Sequence, residues 1–314
     1  MPWEGDVSST DRSARAPAGS RKRVPFGSSS GRHRALRRLA DLVRLAKGLC
    51  VVTGTDPLGR LVELTGVFEA VEAARGSVDA LLRDLRGREL RRRVTEVTAE
   101  SLRRAAWAST CLELAAPWDL DAFTPPFDET ERGRTARGAL RVTTELASLA
   151  GVWRTAPLQA LARLHSLAAA DLVAAGELAE AEVGRPRPGA DVGARMSGLA
   201  ELLAAPTVAP AVLVAAVVQG ELESVGPFVW GNGLVARAAA RLVLLERGLD
   251  PRAASIPEVG FLELGRPAHD AALTAYRSGT GEGVAQWLVH CAQAVALGGR
   301  AGRDVAAAVR GGDR

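Results

Sequence analysis

The sequence predicts an all-α fold, and two observations carry that prediction. Apolar residues recur at intervals of three or four along most of the chain, as on the buried face of an amphipathic helix. No segment alternates apolar and polar side chains for long enough to form a strand. Prolines and glycines interrupt the helical pattern and mark the ends of the helices. We therefore expect helices that pack on helices, without a sheet.

The predicted helices follow one another from residue 34 onwards. The first, at 34–45, carries Leu36, Leu39 and Leu42 on one face. The breaks at 117–126 and 184–189 contain several prolines, and proline ends a helix because it lacks an amide proton. We expect Trp118 and Phe123 to anchor the first of these breaks to the body of the protein. The remaining predicted helices are 60–75, 76–86, 88–115, 130–150, 156–180, 195–204, 209–224, 234–247, 267–277 and 281–298.

This pattern divides the chain of 314 residues into four parts. We expect a disordered basic tail at 1–33, an N-terminal helical region at 34–150, a helical domain at 151–300 and a flexible C-terminal tail at 301–314. Residues 1–38 hold nine Lys and Arg against three Asp and Glu, a balance of +6, so the remainder of the +4 chain is near −2. A Ser-, Gly- and Pro-rich segment of this kind is typical of a solvated terminus.

Composition excludes several classes of protein. Lys22 and Lys47 are the only lysines, and this arginine bias indicates a GC-rich coding sequence, so nucleic-acid binding is not expected. The cysteines are odd in number and lack CxxC spacing, which is typical of buried thiols in a reducing compartment: Cys50, Cys111 and Cys291. No apolar stretch follows the basic N-terminus, and the apolar segment 202–218 is short and contains prolines. We expect a cytoplasmic protein without a membrane span.

The most informative segment is residues 226–237, which read Gly-Pro-Phe-Val-Trp-Gly-Asn-Gly-Leu-Val-Ala-Arg. Two glycines around Asn232 allow a tight turn with positive φ angles. The helix that follows presents unpaired amides and the positive end of its dipole, which suits an anion. The guanidinium of Arg237, one turn further on, has the geometry to bind a phosphate. A purely structural helix entry would explain the same residues.

This segment resembles the signature of the Fic (Fido) family, His-Pro-Phe-x-Asp/Glu-Gly-Asn-Gly-Arg-x-x-Arg. The resemblance extends over roughly 150–298, since an apolar helix precedes the loop and a helix ending at Gly248-Leu-Asp-Pro251 follows it. His165 lies on a segment that resembles an earlier core helix of the family, and Gly184-x-x-Arg187 matches a pattern that usually precedes the family's flap. The resemblance implies an all-α Fic-like core, preceded here by the additional N-terminal helical region and the basic tail.

The resemblance also implies a ligand and the residues that bind it. Fic proteins transfer AMP from ATP to a hydroxyl, so a nucleotide such as ATP is the implied ligand. The matching positions implied to contact it are Gly231, Asn232, Gly233 and Arg237.

Three departures from the signature concern its chemistry. Gly226 replaces the histidine that acts as general base, and loss of a positioned base costs a factor of about 10² to 10⁴. Trp230 replaces the acidic residue that holds Mg²⁺, which makes magnesium binding unlikely because tryptophan cannot ligate a hard cation. Leu234 replaces the first arginine of the phosphate clamp. We therefore predict no catalytic residue in the loop, no metal site and no ordinary AMP transfer.

Other features have simpler interpretations. The segment between Arg187 and Met196 is too short for the flap hairpin that docks a target peptide. Ser278-x-x-x-Glu282-Gly283 fits an inhibitory motif of some Fic proteins, but Thr280 as a helix N-cap explains it as well. The same glycines lack the preceding strand of a dinucleotide fingerprint, and Gly54–Arg60 lacks the Gly-Lys-Ser/Thr of a phosphate loop. Trp230 could stack on a base, although core packing is our preferred interpretation.

Three functions remain open from the sequence. The first is a degenerate Fic-like protein that binds a nucleotide at the glycine loop or a protein partner on its surface. The second is a transferase with a base supplied from outside the loop, for which Glu221, Glu223 and His269 are the candidates. The third is a non-enzymatic helical scaffold whose anion pocket is filled by side chains such as Trp230 and Leu234.

Overall fold

The computed structural model describes residues 56–117 and 127–312. The predicted tail at 1–33, the helix at 34–45, Cys50, Trp118 and Phe123 lie outside these residues. Within them the protein is all-α, with eleven α-helices and no strand. Two short 3₁₀ turns lie at Gly59–Glu63 and Glu180–Glu182. The helices are α1 Val67–Arg86, α2 Val94–Leu114, α3 Glu131–Thr144, α4 Leu146–Thr155, α5 Pro157–Ala174, α6 Ala190–Ala204, α7 Ala211–Val225, α8 Asn232–Glu246, α9 Pro257–Leu264, α10 Arg266–Ser278 and α11 Gly281–Gly311.

Helices α7 and α8 form the centre of the molecule. Every residue at 212–222 and at 234–244 is buried, so both helices are covered on all sides, as expected for helices with little polar surface. They pack on each other, while α11 contacts α7 and helices α4 and α5 contact α8. The long helix α11 makes its most extensive contact with α1. The main core includes residues from Leu58 to Val295 and therefore joins the N-terminal region to the rest.

Side-chain caps explain the start of two helices. Helix α3 begins at Glu131 because the Thr130 hydroxyl accepts a hydrogen bond from the Gly133 amide at 3.2 Å. Helix α11 begins in the same way, since the Thr280 hydroxyl accepts from the Gly283 amide at 3.1 Å. This contact confirms the N-cap interpretation of Thr280.

Several predicted boundaries were wrong. Residues 76–86 do not start a new helix, because α1 runs through Gly76, where no side chain crowds the backbone. The predicted helix at 130–150 is divided at Glu145, and α4 continues beyond residue 150 to Thr155. The predicted flexible tail at 301–314 is helical as far as Gly311, since Val305, Ala306 and Val309 are buried in a second core. Helix α9 was not predicted at all.

Two predictions from composition can be compared with the described residues. Cys111 and Cys291 are both buried, as expected, and burial raises the pKa of Cys291 well above its ordinary value. Across residues 56–117 and 127–312, no helix is both long enough and apolar enough to cross a membrane.

Candidate functional site

The loop at residues 226–231 connects the two central helices. Helix α7 ends at Gly226, which adopts the left-handed conformation with φ +55°. Helix α8 begins after Gly231, also left-handed with φ +67°. Both conformations favour glycine because a Cβ atom would be strained there. The two glycines therefore turn the chain so that the start of α8 faces a cleft beside the end of α7.

His165 of α5 packs against this loop on the side formed by Phe228. Its ring is completely buried and stacks on Phe228, with ring centroids 4.2 Å apart and planes 5° from parallel. The Gly184 amide donates to His165 Nδ1 at 2.8 Å. This bond leaves the ring proton on Nε2, so the imidazole is neutral, and burial lowers the pKa of His165. His165 therefore positions the loop.

Arg187 fixes the loop from the other side. Its side chain donates to the Gly226 carbonyl at 2.5 Å and to the Val225 carbonyl at 2.7 Å. Its own amide donates to the Pro227 carbonyl at 2.7 Å. These bonds satisfy carbonyls at the end of α7 that have no partner within the helix. The Gly184-x-x-Arg187 pattern is thus a clamp on the loop. Helix α6 begins at Ala190, so the described chain has no hairpin flap here.

Asn232 closes the loop on itself. Its side-chain Oδ1 accepts from the Phe228 amide and its Nδ2 donates to the Phe228 carbonyl, both at 2.8 Å. We predicted that Asn232 contacts a ligand. It does line the cleft, but these two bonds give its side chain a role in holding the loop.

A cleft of about 220 Å³ lies in front of the start of α8. It is bounded by the ends of α2 and α7, the first turns of α8, and helices α9 and α10. Its walls are formed by Leu112, Glu113, Glu223, Asn232, Gly233, Arg237, Phe261, Arg266, His269, Asp270 and Leu273. Three of the four predicted ligand-binding residues therefore meet in one cavity: Asn232, Gly233 and Arg237.

Arg237 is not free in this cleft. It is 6% exposed, and its guanidinium donates to Glu113 Oε2 at 3.0 Å, to the Ser109 hydroxyl at 2.8 Å and to the Ser109 carbonyl at 3.0 Å. The side chain of Glu113 is 18% exposed, against 7% for that of Arg237. Both side chains line the cleft, and the carboxylate belongs to the more exposed member of the pair.

Gly233 makes this arrangement possible. A Cβ atom at position 233 would lie 2.4 Å from Glu113 Oε2 and 2.8 Å from Arg237 Nη1. Any side chain at this position would therefore displace the ion pair.

The three replaced positions of the signature have different surroundings. The nearest side-chain atoms to a Cβ at Gly226 would be 3.8 to 4.0 Å away, on Asn232 and Arg187. Leu234 is 2% exposed in the main core. Trp230 is partly buried and packs on that core, which favours the packing interpretation of this ring. Neither Leu234 nor Trp230 lines the cleft, so these two side chains do not fill the anion pocket in the way that the scaffold hypothesis suggested.

Of the candidate replacement bases, two line the cleft. Glu223 Oε2 lies 2.9 Å from His269 Nε2, and His269 Nδ1 lies 3.2 Å from His290 Nε2. Both ring nitrogens of His269 are therefore engaged. Burial tends to raise the pKa of Glu223, but the hydrogen bond and charge of His269, together with the charge of Arg237, hold it below its ordinary value.

Glu221 is held elsewhere. It is 1% exposed and accepts hydrogen bonds from Arg195 and from the Tyr276 hydroxyl, the latter at 2.8 Å. Burial and the Glu221 charge raise the pKa of Tyr276 well above its ordinary value. Glu221 therefore takes no part in the cleft. Among the described residues, no group of three or more His, Cys, Asp or Glu side chains is arranged to hold a metal ion.

The sequence analysis missed Ser109 and Glu113. They have the Ser-x-x-x-Glu spacing of the inhibitory motif that we noted at Ser278 and Glu282, but Leu114 stands where that motif has glycine. Helical spacing places Ser109 and Glu113 one turn apart on the same face of α2, and both reach Arg237. The motif spacing and this shared face were therefore the signals that the sequence offered.

No protein-family model matches the sequence, and no curated protein matches it. Solved structures do match the fold. One is a Fic family protein from Desulfovibrio desulfuricans G20, with a TM-score of 0.55, 18% identity and coverage of 74% of each chain. Another is a fragment of Fic-1 from C. elegans, with a TM-score of 0.52, 16% identity and coverage of 79% of this chain and 74% of that one. This chain therefore has the Fic fold, as the segment at residues 226–237 led us to expect.

Proposed function

We propose that this protein binds a phosphate-containing ligand, a nucleotide such as ATP, in the cleft at the start of α8, and that it does not transfer AMP by the chemistry of the Fic family. The observation that carries the proposal is the ion pair between Arg237 and Glu113. It keeps a phosphate-binding group in place while a carboxylate, the usual mimic of a phosphate oxygen, occupies its ligand side.

The position of Glu113 supports the idea that a ligand phosphate can replace its carboxylate at Arg237. Glu113 lies in the last turn of α2, where the helix dipole is unfavourable for a carboxylate. Its side chain is also the more exposed member of the pair. A ligand phosphate that replaced it would gain the Arg237 guanidinium and the Gly231 to Gly233 helix entry together. We infer that ligand binding requires Glu113 to leave Arg237.

The absence of ordinary transfer chemistry rests on the loop itself. Glycine, tryptophan and leucine at positions 226, 230 and 234 supply neither a proton acceptor, nor a hard-cation ligand, nor a second arginine. Magnesium is therefore not part of the proposed complex.

Thermal unfolding with ATP, ADP or GTP, each with and without Mg²⁺, tests the binding proposal. A ligand that binds the folded state at 100 times its Kd stabilises it by about 2.7 kcal/mol. We expect a shift with at least one nucleotide, independent of Mg²⁺ and absent from Arg237→Gln. Exposed Arg163→Gln is the matched control. No shift with any nucleotide in either wild type or Glu113→Gln would reject nucleotide binding.

The transferase hypothesis is also supported by a specific observation. Glu223 and His269 line the same cleft as Arg237, so a transferase could use His269 as its base if a ligand freed one ring nitrogen. Incubation with α-labelled ATP and a mixture of candidate proteins distinguishes this case. Label transfer that His269→Gln abolishes would establish the transferase, whereas nucleotide binding without transfer supports the binding protein.

The scaffold alternative predicts neither binding nor transfer. It requires the ion pair of Arg237 with Glu113 to be permanent, so that Glu113→Gln would change stability but not expose a nucleotide site.

A further inference from the structure

The positive charge of this protein is concentrated in two stretches of sequence. Residues 1–38 carry +6, and residues 83–93 hold six arginines against Asp84 and Glu89, a balance of +4. Since the chain as a whole is +4, all other residues together carry −6. An uneven distribution of this kind directs anionic partners to the basic part.

The structure places the second stretch on one exposed corner. Residues 83–93 include the last turn of α1 and the connection to α2, and we call them the arginine corner. Leu85 and Leu90 anchor it, at 3% and 2% exposure, in the second core. Backbone hydrogen bonds from Arg91 to Gly87 and from Arg93 to Leu90 hold the turn. The arginines are therefore displayed from a fixed backbone.

The arginines of this corner are largely without acidic partners. Five of them are exposed and form no ion pair within 4 Å in the described part of the chain: Arg83, Arg86, Arg88, Arg91 and Arg92. Helix α11 adds Arg303 and Arg310, which contact Asp84 and Glu89 and so neutralise the two acidic residues of the corner. The corner consequently presents a surplus of unpaired guanidinium groups.

The corner is remote from the cleft. It adjoins the beginning of α2, whereas Glu113 lies at the other end of the same helix, which has 21 residues. At 1.5 Å per residue, about 30 Å separate the two sites. A partner at the corner would leave the cleft accessible.

We propose that the arginine corner binds the phosphate backbone of double-stranded nucleic acid without sequence preference. Unpaired guanidinium groups bind phosphodiester oxygens through paired hydrogen bonds and release condensed counterions. The large exposed apolar side chains of the described residues are Phe68, Val152, Leu158, Val208 and Val229, all outside the corner. The corner thus lacks the aromatic platform that single strands need and the apolar side chains that enter a membrane. The arginine content of the whole chain led us not to expect nucleic-acid binding, whereas this proposal rests on the local distribution of charge.

Fluorescence anisotropy of a labelled 20-base-pair DNA duplex with the full chain tests the proposal across a range of salt concentrations. The variant Arg88→Gln/Arg91→Gln/Arg92→Gln removes three proposed phosphate contacts. We expect at least about a tenfold loss of affinity, and a slope of log K against log salt that is shallower by about 2 to 3, since each phosphate contact contributes about 0.9. The control Arg75→Gln/Arg154→Gln/Arg163→Gln removes the same charge from exposed positions elsewhere and should retain wild-type binding.

Three results would overturn the proposal. The first is no binding of the duplex at about 50 mM salt. The second is an equal loss of affinity in both triple variants. The third is unchanged affinity in the corner variant, which would assign the binding to residues 1–38. Sedimentation with phosphatidylserine vesicles provides a further test, because corner-dependent vesicle binding without duplex binding would also contradict it. Circular dichroism verifies that each variant folds. If the triple variant unfolds, the three single variants should each still weaken duplex binding about twofold.

Discussion

The two sides of the loop at residues 226–231 differ in the contacts that they make. The side facing α5 and residues 184–187 is held by the stacked rings of His165 and Phe228, by the Arg187 clamp and by the Asn232 hydrogen bonds. The side facing the cleft offers an arginine, Arg237, that is already paired with Glu113, and positions 226, 230 and 234 hold glycine, tryptophan and leucine. The loop's shape is therefore maintained by packing and hydrogen bonds within the protein.

The largest expected effect comes from removing the aromatic ring that the loop itself contributes to the core. Phe228→Ala deletes a buried aromatic side chain, 3% exposed, and its stack on His165. We expect a loss of about 3–5 kcal/mol in the free energy of unfolding, because the cavity would not collapse fully. Urea denaturation measures it. Val229→Ala, at a neighbouring position that is 45% exposed, should stay within about 0.5 kcal/mol of wild type.

A smaller loss of stability is expected from substituting Asn232. This substitution tests whether the side chain holds the loop or contacts a ligand. Asn232→Ala leaves the Phe228 amide and carbonyl without their partners, which should cost about 2 kcal/mol of stability. Asn232→Asp keeps the acceptor and should cost less. Should Asn232→Ala abolish nucleotide binding at unchanged stability, the side chain would be a ligand contact and our structural assignment would be wrong.

A third prediction concerns pH and the buried histidines beside the cleft. Burial, followed by the charge of His269, lowers the pKa of His290 to about 4. The unfolded chain, with an ordinary histidine pKa of about 6.5, then binds the proton more readily than the folded protein. Stability should therefore fall as the pH is lowered from about 6.5 towards 4, by up to about 1.4 kcal/mol per pH unit for this one group.

Denaturation midpoints at pH 7, 6 and 5 measure this dependence. His290→Gln should flatten the profile, since the variant has no proton to bind at this position. An identical profile in the variant would assign the dependence to other groups. His165, whose pKa burial also lowers, is the first of these.

The fold class could be predicted from sequence because helical periodicity is a local signal. The segment at 226–237 also predicted the loop, its two left-handed glycines and the helix start. Boundaries were predicted less well where tertiary packing decides them. Gly76 did not interrupt α1, because packing along α11 stabilises the whole helix, and residues 301–311 are helical because Val305, Ala306 and Val309 enter the second core.

The site could be predicted only in part. Gly233 and Arg237 line the cleft, whereas their binding of a ligand stays a prediction. Glu113 comes from a helix more than 100 residues earlier in the chain, and the Ser-x-x-x-Glu spacing at residues 109–113 does not by itself say that this segment reaches Arg237. The Ser278 to Gly283 segment fits the inhibitory motif more closely than the Ser109 to Leu114 segment does, yet Ser109 and Glu113 are the residues that bond Arg237.

Calorimetric titration of ATP into wild type, Glu113→Gln and Arg237→Gln tests the central claim most directly. If Glu113 occupies a phosphate position, Glu113→Gln should bind ATP about tenfold or more tightly than wild type, because the ligand no longer displaces a charged partner. Arg237→Gln should not bind, and exposed Glu96→Gln should behave as wild type. Equal ATP affinity in wild type, Glu113→Gln and Arg237→Gln, or no binding by any of them, would contradict the claim that this cleft is a phosphate site closed by Glu113.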